Sequence, residues 1–190
     1  MRSHPCLAVV VVLIAGCAKP PTVQSTPAPA PAAPAGRAPI GPFHTAKATI
    51  RDLAGARVGS ATFMDSYAGV IISGNVSGVG LGAHAVHIHE TGKCVPPFTT
   101  AGGHFNPEHR SHGYRNPQGP HLGDLPNIDV PAAGTLRFEL VLPGVTLEGE
   151  HALLDADGAS IVIHTSRDDY TTDPAGASGA RQACGVIVGT

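Results

Sequence analysis

The chain has 190 residues with a formal net charge of −2, and it is 42% hydrophobic but only 14% charged. This balance excludes a strongly basic surface for nucleic acids. Tryptophan is absent and aromatic residues make up 4% of the chain, so Val, Ile, Leu and Ala must build the core of what we expect to be a single main domain.

The N-terminus combines Arg2 with the short apolar run CLAVVVVLIAG, a pattern typical of a secretory signal over residues 1–16. The run is too short to span a bilayer as a permanent helix. It ends in IAGC, which resembles a bacterial lipobox, so we expect Cys17 to be lipidated. An ordinary cleavable signal with an incidental cysteine is the alternative. Ala18, in place of an aspartate, favours an outer-membrane or cell-surface lipoprotein, with the domain in the periplasm or outside.

Residues 17–42 are rich in Pro and Ala and offer little to bury, which predicts a semi-extended tether. The domain then occupies residues 43–190. Because two of the four cysteines belong to the N-terminal region, Cys94 and Cys184 remain as a pair. In an exported, oxidising setting we expect them to form a disulfide; a free or metal-binding pair is the alternative.

Seven segments of the domain alternate or are rich in β-branched residues, and Gly, Asn, Asp and Pro separate them. No helical period of useful length competes, so the pattern predicts an all-β fold, an antiparallel sandwich or barrel. The predicted strands are 44–50, 57–64, 69–76, 83–89, 135–141, 160–164 and 184–188. Two long segments, 90–134 and 165–183, interrupt them, and segments of this length are typical of functional loops.

The first long segment carries residues with the spacing of metal ligands. His104 and His112 are eight residues apart, His121 follows nine residues later, and Asp124 comes three residues after that. Three imidazoles and one carboxylate supply the four donors of a structural zinc site. Such a site would hold the loop in place, because metal-binding free energy becomes folding free energy.

The stretch HAVHIHE, residues 84–90, indicates a second metal site. Strand alternation places His87 and His89 on one side of the chain, and His164 ends another predicted strand, SIVIH. An all-imidazole site suits copper. Taken alone, the His87–His89 pair is also compatible with two solvent-facing strand residues.

Five segments in this order resemble the copper-zinc superoxide dismutases in their exported bacterial form: HAVHIHE, GGHFNP, HLGDL, IVIH and GARQACGVI. The resemblance covers residues 46–190 and implies a Greek-key, eight-stranded antiparallel β-barrel with two long functional loops. It also implies one copper and one zinc per chain, with one histidine shared between them. The implied copper ligands are His87, His89, His104 and His164, and the implied zinc ligands are His104, His112, His121 and Asp124.

The resemblance implies further roles near the C-terminus. Asp168 matches a carboxylate that joins a copper ligand to a zinc ligand, although the sequence does not show whether Asp168 or Asp169 points inward. Arg181 matches an arginine beside the copper that attracts and aligns the substrate. The Cys94–Cys184 disulfide would then tie the metal loop to the last strand and hold that arginine in place.

The implied activity is dismutation of superoxide to oxygen and hydrogen peroxide at a copper site bridged to a structural zinc. A non-catalytic periplasmic copper and zinc buffer or delivery protein is the alternative, and a purely structural lipoprotein would bind no metal. We expect no nucleic-acid partner and membrane contact only through the lipid anchor, and the sequence leaves a homodimer open. The remaining histidines of the domain are expected to be structural, solvated or locally hydrogen-bonded: His44, His84, His109 and His151.

Overall fold

The computed structural model describes residues 43–190, so the predictions for the signal, the lipidation of Cys17 and the tether lie outside the described residues. Among residues 43–190, no helix has the length and hydropathy that crossing a membrane requires. The described elements are β1 (Thr45–Asp52), β2 (Arg57–Ser66), β3 (Gly69–Ser77), β4 (Gly82–His84), β5 (Val86–His89), a 3-10 turn (Thr99–Ala101), β6 (Ile128–Val130), β7 (Thr135–Leu142), β8 (Ser160–His164), β9 (Arg181–Val186) and β10 (Val188–Gly189).

The strands form one eight-stranded sheet in the order β5-β8-β9-β1-β2-β3-β7, with β10 added beside β1, and a small sheet of β4 and β6. Every pairing between these strands is antiparallel. The chain runs β1 to β3 as a meander, crosses to the far edge to make β5, and returns beside β3 as β7. This crossover is of the Greek-key type, and the predicted all-β fold is confirmed.

The core follows from side-chain alternation along the strands. In β1 the even-numbered Ala46, Ala48 and Ile50 are buried while their odd-numbered neighbours face outward. They pack with Phe63 of β2 and with aliphatic side chains of the other strands in one cluster. Burying a side chain the size of Ile50 stabilises the fold by about 1.5–3 kcal/mol. A cluster of many such aliphatic side chains can therefore stabilise this domain without tryptophan.

The predicted strands differ from the structure in two ways around the histidine-rich segment 84–90: one predicted strand is divided, and one short strand was not predicted. The predicted strand 83–89 is divided at Ala85, whose N–H donates to Ser166 O and whose C=O accepts from His164 N. The strand therefore changes sheets: β4 pairs with β6, whereas β5 pairs with β8. The prediction also missed β6, because three residues are too few to show a period.

Two long loops, residues 90–127 and 165–180, cover the outer face of β5 and β8. All four residues of β5 are buried, which a strand with one solvated face would not show. Val86 and Ile88 pack in the core, so His87 and His89 lie on the opposite face, under the loops. The fold thus encloses this histidine face between the sheet and the two loops.

Candidate metal centre

The pairing of β5 with β8 brings His87, His89 and His164 close together. In the β5–β8 pair, His87 is opposite Val162 and His89 is opposite Ser160, while His164 ends β8. His104, from the first long loop, forms an isolated β-bridge with His89. Two strands and one loop therefore bring the four imidazoles to the same face.

These four residues form what we call the four-histidine group: His87, His89, His104 and His164. One nitrogen from each ring can be chosen such that all four lie within 4.8 Å of one another. The ring centroids of His87 and His104 are 4.0 Å apart, and those of His87 and His164 are 4.9 Å apart. This spacing fits one cation among four nitrogen donors.

Each ring of the four-histidine group has one nitrogen in a hydrogen bond and one buried nitrogen with no partner. Nδ1 of His89 donates to Gly102 O at 3.1 Å, and Nδ1 of His164 donates to Gly179 O at 3.3 Å. A carbonyl can only accept, so it fixes the proton on Nδ1 and leaves Nε2 with its lone pair. The unpartnered atoms are Nδ1 of His87 and Nε2 of His89, His104 and His164.

Burial keeps this group in the neutral form that binds metals. Desolvation lowers the pKa of His89 to about 2 and that of His164 to about 3, with repulsion from neighbouring positive groups adding to it. Burial lowers the pKa of His104 to about 4 despite its bond to Asp124, and it also lowers that of His87. The four rings are therefore neutral donors at physiological pH, and no proton has to leave before a metal binds.

A second set, which we call the carboxylate group, contains His104, His112, His121 and Asp124. Oδ1 of Asp124 lies 2.9 Å from Nδ1 of His104, 3.0 Å from Nδ1 of His112 and 3.4 Å from Nδ1 of His121. Nδ1 of His121 is 3.2 Å from Nδ1 of His104. Three nitrogens and one oxygen thus converge, the donor set of a structural zinc site.

Both His87 and His121 lie close to Asp124. Ligand atoms of His87, His104, His112 and Asp124 also lie within 4.8 Å of one another. His87 already donates through Nε2 to Asp168 and keeps Nδ1 for the four-histidine group. The Nδ1 of His121 instead faces the other members of the carboxylate group at 3.2–3.4 Å. We therefore place His121 in the carboxylate group.

Charge dominates the carboxylate group. Burial alone would raise the pKa of Asp124, but hydrogen bonds from His104, His112 and His121 hold it well below its usual range. Burial would likewise lower the pKa of His112, yet its bonds to Asp124 and Asp168 raise it to about 9. This group therefore attracts positive charge, either protons or a cation.

One carboxylate joins the two groups. Asp168 is fully buried; its Oδ2 accepts from Nε2 of His87 at 2.9 Å and its Oδ1 accepts from Nε2 of His112 at 3.0 Å. Asp169, the competing choice from the sequence, is only partly buried and accepts from the backbone of Thr171 instead. Of the two neighbours, only Asp168 can orient rings in both groups.

Arg181 starts β9, and its guanidinium donates to Phe98 O and Gly102 O, both at 2.7 Å. Gly102 O also accepts from His89, so the arginine and one ring of the four-histidine group share an acceptor. The predicted disulfide is confirmed: Cys94 of the first long loop is bonded to Cys184 of β9. It fixes the segment that supplies both carbonyls to the strand that carries Arg181.

An open cavity of 590 Å³ leads to these groups from the surface. Its lining includes His89, His104, His164 and Arg181. Small anions can therefore reach the face of the four-histidine group beside a guanidinium.

A family model described as copper/zinc superoxide dismutase matches residues 57–187. The chain belongs to the copper/zinc superoxide dismutase family. A superoxide dismutase [Cu-Zn] 2 from Aquifex aeolicus is 45% identical over 75% of this chain and 85% of its own length. An extracellular superoxide dismutase [Cu-Zn] from Caenorhabditis elegans is 37% identical over 68% of this chain and 60% of its own. The structure is similar to that of a mutant SOD-like protein from Bacillus subtilis, with a TM-score of 0.73, 38% identity and coverage of 75% and 97%.

Several residues that support the centre of this superoxide dismutase family member were missed by sequence reasoning. Asn127 holds the backbone of Asp168 through both its side-chain atoms, at 2.7 and 2.9 Å, and Tyr114 donates to Asp124 O at 2.6 Å. The carbonyls of Gly102 and Gly179 are acceptors for ligand rings. A backbone acceptor has no residue-type signature, so nothing in the sequence could have identified these two.

The four histidines outside the groups have separate environments. His84 is buried, and its Nδ1 donates to the backbone O of His164 at 2.9 Å, as a structural histidine would, while its buried Nε2 has no hydrogen-bond partner. His151 contacts Gly144 O within its own loop. His44 forms a 3.0 Å hydrogen bond with Asp65 of β2, 21 residues away, which is a longer-range bond than we expected. His109 is exposed.

Proposed function

We propose that this protein dismutates superoxide: two superoxide anions and two protons give one oxygen and one hydrogen peroxide. The observation that carries the proposal is the set of four neutral, buried imidazole nitrogens without hydrogen-bond partners, beside a guanidinium that lines an open cavity. Unpartnered buried nitrogens are costly unless something binds them. The named relatives in the same family are superoxide dismutases, which supports the same reaction here.

The donor chemistry fits two different metals. The four-histidine group would hold copper, for which four neutral imidazole donors are well suited, and the carboxylate group would hold zinc. Copper held there would supply the one-electron redox chemistry that dismutation requires. His104 would serve both ions, because its Nδ1 faces the carboxylate group and its Nε2 faces the four-histidine group.

The protein's own contribution begins with the arrival of the anion. The guanidinium of Arg181 lies in the cavity wall with two of its nitrogens engaged by backbone carbonyls, so its position is fixed before the substrate enters. A fixed positive charge attracts an anion and aligns it by hydrogen bonding. We propose that Arg181 provides this guidance for superoxide.

Asp168 would keep the two groups in register. By accepting from His87 and His112 with different oxygens, it sets the orientation of one ring in each group. We propose that Asp168 couples the position of the loop that would bind zinc to the position of the strand that would bind copper.

The decisive experiment measures copper and zinc per chain together with superoxide decay by stopped-flow or pulse radiolysis. One copper and one zinc with rapid decay is the expected result. The matched control is the same protein loaded with zinc alone, which should be inactive. Full copper loading without accelerated decay would refute the enzyme and favour the metal buffer, and a protein that binds neither metal would refute both.

We further propose that the protein is exported and anchored through a lipid on Cys17, with residues 17–42 as a tether and residues 43–190 as the superoxide dismutase domain. The lipobox-like IAGC and the apolar run before it support this, and a relative named as extracellular is consistent with export. Mass spectrometry of the mature N-terminus should detect the lipid, and Cys17→Ser should release the protein from membranes. An unmodified Cys17 would refute the anchor.

The location of the domain and its oligomeric state are separate proposals. Ala18 supports an outer-membrane or surface position, with the domain in the periplasm or outside. Protease accessibility of whole cells distinguishes these two sides. Sedimentation of the domain measures whether it is a monomer or the homodimer that the sequence leaves open.

A further inference from the structure

Gly176 lies in the 165–180 loop, against the carboxylate that joins the two groups. We propose that Gly176 is a positioning residue: because it lacks a side chain, it leaves the space in which Asp168 bridges His87 and His112. The inference rests on the proposed function, since it concerns the metals that those histidines would hold.

The geometry at Gly176 leaves no room for a larger residue. A Cβ atom added there would overlap Oδ1 of Asp168 and would lie 2.7 Å from Nε2 of His112. These are the two atoms that form the 3.0 Å hydrogen bond between Asp168 and His112. Asp168 cannot easily move away, because its backbone is bonded to both side-chain atoms of Asn127 at 2.7 and 2.9 Å.

The backbone of Gly176 is held in place as well. Its N–H donates to Thr172 O at 2.6 Å and its C=O accepts from Asp169 N at 2.9 Å. Its φ of +66° lies in the left-handed region that favours glycine, but the next residue, Ala177, has a φ of 49° in the same region. Ala177 therefore shows that this loop tolerates a residue with a Cβ in the left-handed region. What distinguishes Gly176 is the space beside the carboxylate.

The test compares Gly176→Ala with Gly134→Ala. Gly134 has a φ of +72°, and a Cβ added to it would meet nothing within 4 Å, so this control carries the same backbone strain without the overlap. We expect Gly176→Ala to lower zinc affinity about 10- to 100-fold, as the loss of a partner that orients a ligand does. Competition with a chromogenic chelator measures the affinity, and the absorption of cobalt(II) in the zinc site reports changed geometry.

A second background shows whether the effect passes through the carboxylate. In Asp168→Ala the Oδ1 that the new Cβ would overlap is gone, and of the three nearest atoms only Nε2 of His112 remains, so adding Gly176→Ala should lower zinc affinity, relative to the Gly134→Ala control, several-fold less than it does in the unsubstituted protein. Should Gly176→Ala alone fail to fold, recovery of folding in the double variant supports the proposal. A double variant that loses affinity as strongly as the single one, or stays unfolded while Asp168→Ala folds, overturns it.

The readout separates this inference from the proposed function. Superoxide decay by the unsubstituted protein tests the activity, whereas chelator competition tests Gly176 and needs no turnover. Equal zinc affinities and equal cobalt spectra in Gly176→Ala and Gly134→Ala would overturn the role of Gly176, whatever the superoxide assay shows.

Discussion

The four-histidine group and the carboxylate group share His104, yet the chain builds them differently. Three members of the four-histidine group stand on the adjacent strands β5 and β8, and two of their rings are fixed by backbone carbonyls. The other members of the carboxylate group come from one loop and are fixed by charged side chains. The four-histidine group thus rests on the sheet, whereas the carboxylate group lies in a loop that has little secondary structure.

The electrostatics follow the same division. Burial lowers the pKa of His89 to about 2 and that of His164 to about 3, while bonds to Asp124 and Asp168 raise the pKa of His112 to about 9. The first group is therefore ready to bind a cation without losing protons, and the second exchanges a proton for one. We therefore expect the strand-built site to be preformed and the loop-built site to depend on its ion.

Removing a ring from the four-histidine group should have the largest effect. We expect His89→Ala to lower copper affinity more than about 100-fold, beyond the usual cost of losing an orienting partner, and to abolish superoxide decay. The apoprotein should still fold, since the sheet is intact without this ring. Copper competition and circular dichroism measure the two effects.

His109→Ala is the matched control for His89→Ala, because His109 lines the same cavity but belongs to neither group. It should bind copper normally. If both variants lose copper equally, or if His89→Ala unfolds the apoprotein, the distinction between a preformed site and a metal-dependent one is wrong.

The carboxylate group should respond to loss of charge with unchanged size. We expect Asp124→Asn to lower zinc affinity about 100-fold and to make the 90–127 loop sensitive to proteolysis, while copper binding declines less. Chelator competition and limited proteolysis measure these effects. The control is Asp169→Asn, a partly exposed acid whose side chain bonds to Thr171 and to neither group. Unchanged zinc affinity in Asp124→Asn would contradict the proposed zinc site.

Arg181→Ala tests guidance of the anion to the four-histidine group, with a smaller expected effect. The second-order rate should fall about 10-fold at low ionic strength and depend less on salt, while copper stays bound. Arg137→Ala removes the same charge from an exposed position on β7, away from the cavity, and should leave the rate nearly unchanged. An unchanged rate in Arg181→Ala at low ionic strength would refute the guiding role.

The sequence predicted which side chains come together better than it predicted their surroundings. The β-strand period placed His87 and His89 on one face, and the order of motifs indicated the other members of the two groups through family resemblance. It did not reveal the break at Ala85, which depends on hydrogen bonds to residues about 80 positions later. It matched Asp168 to the joining carboxylate but did not show whether Asp168 or Asp169 points inward, because only the folded loop decides which of two adjacent acids is buried.

The pH dependence of the metal-free protein tests the same division without any metal, and its sign differs between the groups. His89, His104 and His164 have pKa values lowered from 6.5 to about 2, 4 and 3, so their stabilising effect is complete above pH 6.5 and is lost as the pH falls below it. His112 has a pKa raised to about 9, so its effect is complete below pH 6.5 and is lost as the pH rises towards 9.

The metal-free protein should therefore be most stable near pH 6.5, with a steeper loss on the acid side, where these three histidines and His87, whose pKa is also lowered, act instead of one. Each contributes up to about 1.4 kcal/mol per pH unit to the free energy of unfolding. Urea unfolding from pH 4.5 to 9 measures the profile. His112→Gln should flatten the alkaline limb alone, since the strand-built rings are already neutral there. A profile with equal limbs, or one that His112→Gln does not change, would show that the two groups do not differ in charge as the structure indicates.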